Sequence, residues 1–189
     1  MLIPALFYII WDIYFTSKGV WSFNPDYITG IKISNLPVEE VLFFFAIPYC
    51  CIFIYECVKV YFPTLHNTIS ASSLLKLTGA LLLIAGCFFY NRYYTSWTFV
   101  FTGAFIIAIY LSENLSKNFN ARLFLVSYCI MLIPFLVVNG LLTSIPVVLY
   151  NSNENLGIRI LTIPFEDCFY GMLLILMSVV IYEWLNNGK

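Results

Sequence analysis

The sequence predicts an all-α integral membrane protein, and three observations support that class. Its 189 residues are 61% hydrophobic and 10% charged, with a mean hydropathy of +0.89, far from the composition of a soluble domain. Several apolar segments approach the length of about 20 residues that a membrane-spanning helix needs. The third observation is an internal repeat, which indicates that the helices form two related groups.

Six apolar segments are the candidate membrane helices. The first is too short to cross the hydrocarbon core upright, since its 15 residues, at about 1.5 Å each, extend only about 22 Å. Either it lies tilted in an interface, or the chain begins part-way into a helix. In chain order the segments are Met1–Phe15, Val41–Phe62, Ala71–Tyr90, Ser96–Leu111, Ala121–Leu142 and Phe165–Leu185.

The internal repeat becomes visible with a shift of 127 residues, which lays Gly30–Glu56 on Gly157–Glu183 without a gap. Because four apolar segments separate a residue from its image, we expect both copies to have the same membrane orientation. Their acidic pairs should then lie at one membrane face and approach a common cleft. A Pro-x-Glu-acid motif recurs in the two copies, as Pro37, Glu39 and Glu40 and as Pro164, Glu166 and Asp167.

The repeat predicts three parts of the chain. Residues 1–62 form a first repeat that lacks its opening helix, residues 63–94 form a linker with one helix, and residues 95–189 form a second repeat with three helices. Basic residues divide almost evenly between the two sides, so the positive-inside rule gives no orientation.

Each motif proline stands where a helix should begin, because proline is tolerated in a first turn. The acids that follow are favoured there by the helix dipole, which is one interpretation of the motif. The duplication and the aromatic residues that follow favour another, an acid inside an apolar site. Adjacent helical residues point about 100° apart, so we expect one acid of each pair to face inward. Burial and like charge raise a carboxyl pKa whereas a helix N-terminus lowers it, and the sequence does not decide between them.

An acid in an aromatic site suits the protonation of a carbon–carbon double bond. The resulting carbocation must be kept from water and is stabilised by aromatic faces and a carboxylate. Asp12 and Asn139, which coincide under the repeat, are further candidates for substrate binding. The aromatic candidates are Phe43, Phe44, Phe45, Tyr49, Phe169 and Tyr170, although interfacial belts also explain single aromatic residues. Trp11, Trp21, Trp97 and Trp184 lie near segment ends and are interpreted as belt residues.

The stretch "WDIYFTSKGVWSFNPDYITGIKISNLPVEEVLFFFAIPY" resembles the membrane-embedded lycopene cyclase domain family, whose signature is a Pro-x-Glu-Glu/Asp motif at a helix start. The match is strong over Trp11–Glu56 and weaker over Asn139–Trp184. Among the forms of this family, the chain is similar to the tandem bacterial one. It departs from the family at its shortened start and at Asn139, the counterpart of Asp12.

The resemblance implies an enzyme of carotenoid biosynthesis, a lycopene beta-cyclase in a bacterial inner membrane. Its reaction converts the ψ ends of lycopene into β-rings, through γ-carotene to β-carotene, with no net redox change. The implied catalytic residues are Glu39, Glu40, Glu166 and Asp167, with Pro37 and Pro164 as structural motif residues. The implied partners are the carotenoid substrate and membrane lipid, and a homo-oligomer is left open.

Other classes fit the sequence less well. A helical-bundle prenyltransferase needs two Asp-rich clusters for Mg²⁺, and the sequence has no such clusters. A retinal-binding or transport protein would need an intramembrane lysine or a polar pathway, for which Lys76 is the one candidate. A carotenoid-binding subunit without activity of its own would keep the same motif. With no dinucleotide fingerprint, no basic patch and no paired Cys or His spacing, we expect no flavin, no nucleic acid and no metal.

Overall fold

The structure, a computed structural model, describes residues 2–187. Within that range five helices are long and apolar enough to cross a membrane, and α1 is a shorter apolar helix of 16 residues. The predicted class of integral membrane protein is therefore confirmed. Met1 of the first predicted segment and the last two residues of the second predicted repeat lie outside the described residues. The helices are α1 (Leu2–Ser17), α2 (Val38–Tyr61), α3 (Ile69–Phe88), α4 (Tyr93–Leu111), α5 (Glu113–Ser116), α6 (Ala121–Ser144) and α7 (Glu166–Asn187).

Short antiparallel strands connect the helices at one end of the bundle, and the sequence analysis did not predict them. Strands of two or three residues are too short to show the alternation by which strands are recognised. They are β1 (Trp21–Phe23), β2 (Lys32–Ile33), β3 (Leu36–Pro37), β4 (Val148–Tyr150), β5 (Arg159–Ile160) and β6 (Ile163–Pro164).

The two motif helices begin where the prolines predict. Pro37 is the N-cap residue of α2, and α7 starts two residues after Pro164. A fixed φ near the helical value suits proline to such a position. The acidic pairs lie in the first turns of both helices, as expected from the motif.

Residues related by the shift of 127 adopt the same backbone conformation. The β2–β3 and β5–β6 hairpins each turn through two residues, of which the first has a positive φ, 60° at Ser34 and 57° at Leu161. The glycines that precede these hairpins, Gly30 and Gly157, also have positive φ, 83° and 74°. The agreement supports the repeat, while the predicted domain boundaries stay a prediction.

The β1–β4 pair joins the two copies. Trp21 pairs with Tyr150 and Phe23 with Val148, and each of these pairs is the image of the other under the same shift. The hydrogen bonds that flank the pair are symmetric as well: Asn24 N–H donates to Val147 O, and Asn151 N–H donates to Val20 O, both at 2.9 Å. The two copies are therefore related locally by a pseudo-two-fold axis. Their hairpins lie on the same side of the bundle.

The remaining packing is helix on helix. α3 packs closely on α4 because glycines face each other: a Cβ added at Gly103 would lie 2.6 Å from the carbonyl oxygen of Gly79. An aromatic cluster fills the hairpin end between α1, α2, α4 and α7, and an aliphatic cluster fills the other half of the bundle. The acidic motifs thus lie beside the aromatic cluster.

Candidate active site

The first acid of each motif binds backbone amides. Glu39 Oε1 accepts a hydrogen bond from Thr29 N at 2.8 Å, and Glu166 Oε1 accepts one from Leu156 N at 2.7 Å. These two contacts are equivalent under the repeat. Each ties the loop before a hairpin to the first turn of the helix after it, and both carboxylates are turned away from the cavity described below. Glu39 is exposed, whereas Glu166 is fully buried.

A cavity of about 320 Å³ lies at the hairpin end of the bundle. Among the described residues, three carboxyl side chains reach it, those of Asp12, Glu40 and Asp167, and no basic side chain does. Its other walls are mostly apolar or aromatic, with Asn139 and Thr143 as further polar residues. The lining residues come from both copies and include Trp21, Phe23, Phe43, Ile47, Tyr94, Met131, Phe135, Asn139, Val148, Tyr150, Tyr170 and Leu174.

The second acid of each motif faces this cavity, because it is rotated by about 100° from the first on its helix. Glu40 and Asp167 are images of each other under the repeat. The expectation that one acid of each pair faces inward therefore matches the geometry. Catalytic roles for Glu39 and Glu166 stay a prediction, and their positions give them no contact with the cavity.

Asp167 is held by two phenols. Tyr94 Oη donates a hydrogen bond to Asp167 Oδ1, and Tyr150 Oη donates one to Oδ2 at 2.8 Å. Burial, followed by the nearby Asp167 carboxylate, raises the pKa of the Tyr150 hydroxyl well above its usual range. Tyr150 therefore stays a donor at neutral pH. Hydrogen bonds of this kind are stronger when the acceptor is a carboxylate.

Asp12 has a similar arrangement with one phenol. Tyr170 Oη donates to Asp12 Oδ1 at 2.8 Å, and Tyr8 Oη donates to the carbonyl oxygen of Tyr170 at 2.6 Å. The Tyr8 and Tyr170 rings pack edge to face at 4.7 Å. The orientation of Tyr170 is thus fixed from two sides.

Glu40 differs from both aspartates. Within residues 2–187, no donor lies at hydrogen-bonding distance from its carboxyl oxygens. It shares the cavity with Asp12 and Asp167 but has aromatic and aliphatic neighbours, among them Phe43 and Ile47. Of the three acids, Glu40 is therefore the one free to interact with a molecule in the cavity.

The predicted aromatic residues divide according to helix face. Phe43 and Tyr170, images of each other, line the cavity. Phe44, rotated by about 100° from Phe43 on the helix, is buried against Tyr8, and Phe169 packs on Phe99 and Phe165. Tyr49 is 64% exposed and Phe45 contacts the aromatic cluster, so neither lines the cavity. The structure thus places Phe44, Phe45, Tyr49 and Phe169 outside the cavity lining, and their contact with a substrate stays a prediction.

Sequence reasoning missed several lining residues. Tyr94 and Tyr150 lie outside the repeated acidic motif. The aromatic neighbours of Tyr94 in "RYYTSW" offered a weak signal, and "VVLYN" around Tyr150 offered none. The belt interpretation was wrong for Trp11 and Trp21, which are 4% and 5% exposed inside the aromatic cluster. Trp97 is half-buried in that cluster and Trp184 is exposed.

A second acidic cluster lies at the opposite end of the bundle. Lys59 Nζ is 2.7 Å from Glu183 Oε1 and 3.5 Å from Glu56 Oε1. Tyr55 Oη also donates to Glu183 Oε1, at 2.9 Å. Glu56 and Glu183 coincide under the repeat, and one lysine bridges them. The cluster links the C-terminal ends of α2 and α7 and is remote from the cavity.

Comparison with known proteins gives the family. The sequence model of the family described as "Lycopene cyclase" matches residues 1–58 and 91–185, which is most of the chain. The chain belongs to the lycopene cyclase family. Both acidic motifs and all three cavity carboxyls of this lycopene cyclase family member lie inside the matched ranges. Helix α3 lies outside them and contributes no residue to the cavity.

Curated relatives match the chain over shorter stretches. The bifunctional lycopene cyclase/phytoene synthase of Neurospora crassa is 30% identical over 83 residues, which cover 40% of this chain and 14% of that protein. That of Aspergillus niger is 44% identical over 34 residues, covering 18% and 6%. The lycopene beta-cyclase of Halobacterium salinarum is 42% identical over 45 residues, covering 24% and 19%. The matches span less than a fifth of each relative, and no solved structure matches this lycopene cyclase family member.

Proposed function

We propose that this chain is a lycopene beta-cyclase, which converts the ψ ends of lycopene into β-rings by acid catalysis, through γ-carotene to β-carotene. The observation that carries the proposal is the cavity itself, in which three carboxyl groups face aromatic and aliphatic walls in a chain of the lycopene cyclase family. A hydrocarbon reaches such a site from the bilayer. We place the helices in the inner membrane of a bacterium, with lipid against their exposed apolar faces.

Glu40 is the proposed proton donor. As a carboxylic acid it protonates C2 of the ψ end, and the C1 cation that results is attacked by the C5–C6 double bond, which forms the C1–C6 bond. Glu40 is suited to this role because, among residues 2–187, no side chain donates a hydrogen bond to its carboxyl group and none of those that line the cavity is basic. An unpaired carboxyl group in apolar surroundings favours its neutral form.

Asp167 is the proposed carboxylate partner. It stabilises the cation that ring closure leaves at C5 and accepts the proton from C6, which restores a neutral product. Its hydrogen bonds from Tyr94 and Tyr150 stabilise the carboxylate and fix its position. The proton then returns to Glu40, so the reaction is an isomerisation without net gain or loss of atoms or electrons.

The aromatic walls would support the cationic intermediates. Trp21, Phe43 and Tyr170 present rings to the cavity, and the faces of such rings attract a cation. Enclosure by the β1–β4 pair and the aromatic cluster also excludes water, which would otherwise trap the cation as an alcohol. All residues of the proposed site come from one chain.

The proposal is tested by expressing the protein in a host that accumulates lycopene and separating the carotenoids by chromatography. Wild-type protein should yield γ-carotene and β-carotene, and Glu40→Gln should lower the cyclisation rate by about 10²- to 10⁴-fold, the usual contribution of a positioned acid. Glu39→Gln is the matched control, because it removes a carboxylate from the same first turn but outside the cavity. Lycopene left unchanged by the wild-type protein at normal expression would contradict the proposed activity and leave the carotenoid-binding subunit as the alternative. Equal activity of the two variants would remove Glu40 from its proposed role.

A further inference from the structure

The cavity is elongated along the helices. On α2 its lining runs from Glu40 to Ile54, which is about 21 Å at 1.5 Å per residue. On α6 it runs from Met131 to Thr143, about 18 Å. The carboxyl groups all lie at the hairpin end, and the other end is formed by Ile54, Met131 and other apolar side chains. The cavity is therefore a narrow slot with one acidic end and one hydrocarbon end.

The acidic end is covered on the side of the hairpins. Trp21 and Val148, from the paired strands β1 and β4, lie across it, and Trp21 is 5% exposed. A hydrocarbon substrate would also have to cross water to enter there. The far end is closed as well, because Tyr55 and Val58 of α2 belong to the same buried cluster as Phe124 of α6.

The slot is open on one side, between α2 and α6. Three residues there both line the cavity and lie on the outer surface: Cys50 of α2, and Pro134 and Val138 of α6. Val138 is 42% exposed. These positions lie in the apolar, membrane-spanning parts of both helices, so the gap faces lipid hydrocarbon. Cys50 and Val138 are small enough to leave it open.

The size of the cavity points to what passes through this gap. At about 320 Å³ it lies at the lower end of the range for drug-sized ligands, so it encloses one end of a forty-carbon polyene and not the whole chain. The remainder of the chain must leave the cavity, and the gap is its one lipid-facing side among the described walls. We propose that the polyene chain of the substrate lies in the gap between α2 and α6, against Cys50, Pro134 and Val138, and that each ψ end enters laterally from the bilayer. This inference rests on the proposed function.

Bulky substitutions in the gap test the proposal in proteoliposomes. Cys50→Phe and Val138→Phe, made separately, should each lower kcat/KM for lycopene by about tenfold, which corresponds to about 1.4 kcal/mol. Cys129→Phe on α6 and Cys87→Phe on α3 are the controls, since both cysteines are exposed but do not line the cavity. They should remain within about twofold of wild type.

A binding measurement separates failure of this inference from failure of the proposed function. In the Glu40→Gln background, quenching of tryptophan fluorescence by lycopene reports entry into the cavity, because Trp21 lines it. With Cys50→Phe or Val138→Phe, half-maximal quenching should require a lycopene concentration about tenfold higher, even if no variant forms rings. Wild-type binding and turnover by both bulky variants, with their folding verified by thermal unfolding, would overturn the lateral route and indicate entry through the hairpin end.

Discussion

A single site that serves both ends of lycopene makes a strong prediction for Asp167→Asn. The substitution keeps the size of the side chain but removes the carboxylate that faces Glu40 across the cavity. In folding it loses one of two hydrogen bonds from Tyr94 and Tyr150 to a charged acceptor, which costs about 1.5–3 kcal/mol. In catalysis we expect a rate about 10³-fold lower, in the middle of the range for acid–base groups. That factor corresponds to about 4 kcal/mol of transition-state stabilisation.

The assay follows lycopene, γ-carotene and β-carotene over time with purified protein in proteoliposomes. With one shared site, Asp167→Asn and Glu40→Gln should each slow the loss of lycopene, and the double variant should be scarcely slower than either, because residues that act as a unit are non-additive. Glu166→Gln, from the same helical turn but outside the cavity, should keep the wild-type ratio of products among molecules that fold. If each repeat cyclised its own end, a single variant would instead convert lycopene to γ-carotene at nearly the wild-type rate and stop there. That product pattern would refute the shared site.

Three further predictions concern the scaffold, each checked by thermal unfolding in detergent. Gly103→Ala should destabilise the protein by about 1–3 kcal/mol, because its Cβ would meet backbone atoms of α3. Gly140→Ala, whose Cβ would make one ordinary contact, with Ile163 Cδ1 at 4.0 Å, should be neutral or slightly stabilising. Leu161→Gly should raise the unfolding temperature. The left-handed backbone conformation at Leu161, with φ 57°, costs a residue with a side chain about 1–2 kcal/mol, and this side chain is 85% exposed, so that its removal loses little packing; a lower unfolding temperature would contradict this. Glu56→Gln should leave cyclisation intact and cost at most about 0.5 kcal/mol, since its pair with Lys59 at i+3 is long and partly exposed; a loss of activity like that of Glu40→Gln would give it a functional role.

Much of the helical framework was accessible from sequence because hydropathy alone marks apolar segments. Each of the six predicted segments corresponds to a helix, within a few residues at the ends. The repeat added the relation between the copies, which hydropathy does not contain. The hairpins were not predicted, because a two-residue strand such as Lys32–Ile33 is too short to show an alternation of polar and apolar residues. Such a strand forms only because of the partner it pairs with.

The site was predictable to the level of the motif but not of the individual atom. The repeat identified both acidic pairs, and helix geometry indicated that one member of each would face inward. Choosing Glu40 over Glu39 requires the rotation of α2 about its axis, which is set by the hairpin and the contact of Glu39 with Thr29. Tyr94 and Tyr150 could not be predicted as site residues from the sequence, because they come from a different helix and a strand. Only the folded chain brings them to Asp167.

The differences between the two copies explain why a nearly symmetric backbone forms one unsymmetric site. Under the repeat Phe23 and Phe43 correspond to Tyr150 and Tyr170, and all four side chains line the cavity. The second copy therefore provides hydroxyl groups where the first provides only hydrocarbon. Asp167 consequently has a phenol donor, Tyr150, at the position where its image Glu40 has Phe23. Tyr94 of α4, which has no counterpart under the shift, adds a second donor to Asp167.

The exchange of Asp12 for Asn139 adds to this difference. Asp12 accepts a hydrogen bond from Tyr170 of the other copy, so the hydroxyl groups of the second copy serve acids from both. A cyclisation needs one group that gives a proton and another that takes one, and identical groups at symmetric positions do not distinguish these roles. Substituting hydroxyl-bearing residues in one copy makes the distinction without moving the backbone. The duplication supplies two acids to one cavity, and under the proposed mechanism the differences between the copies allow them to act as a donor and an acceptor.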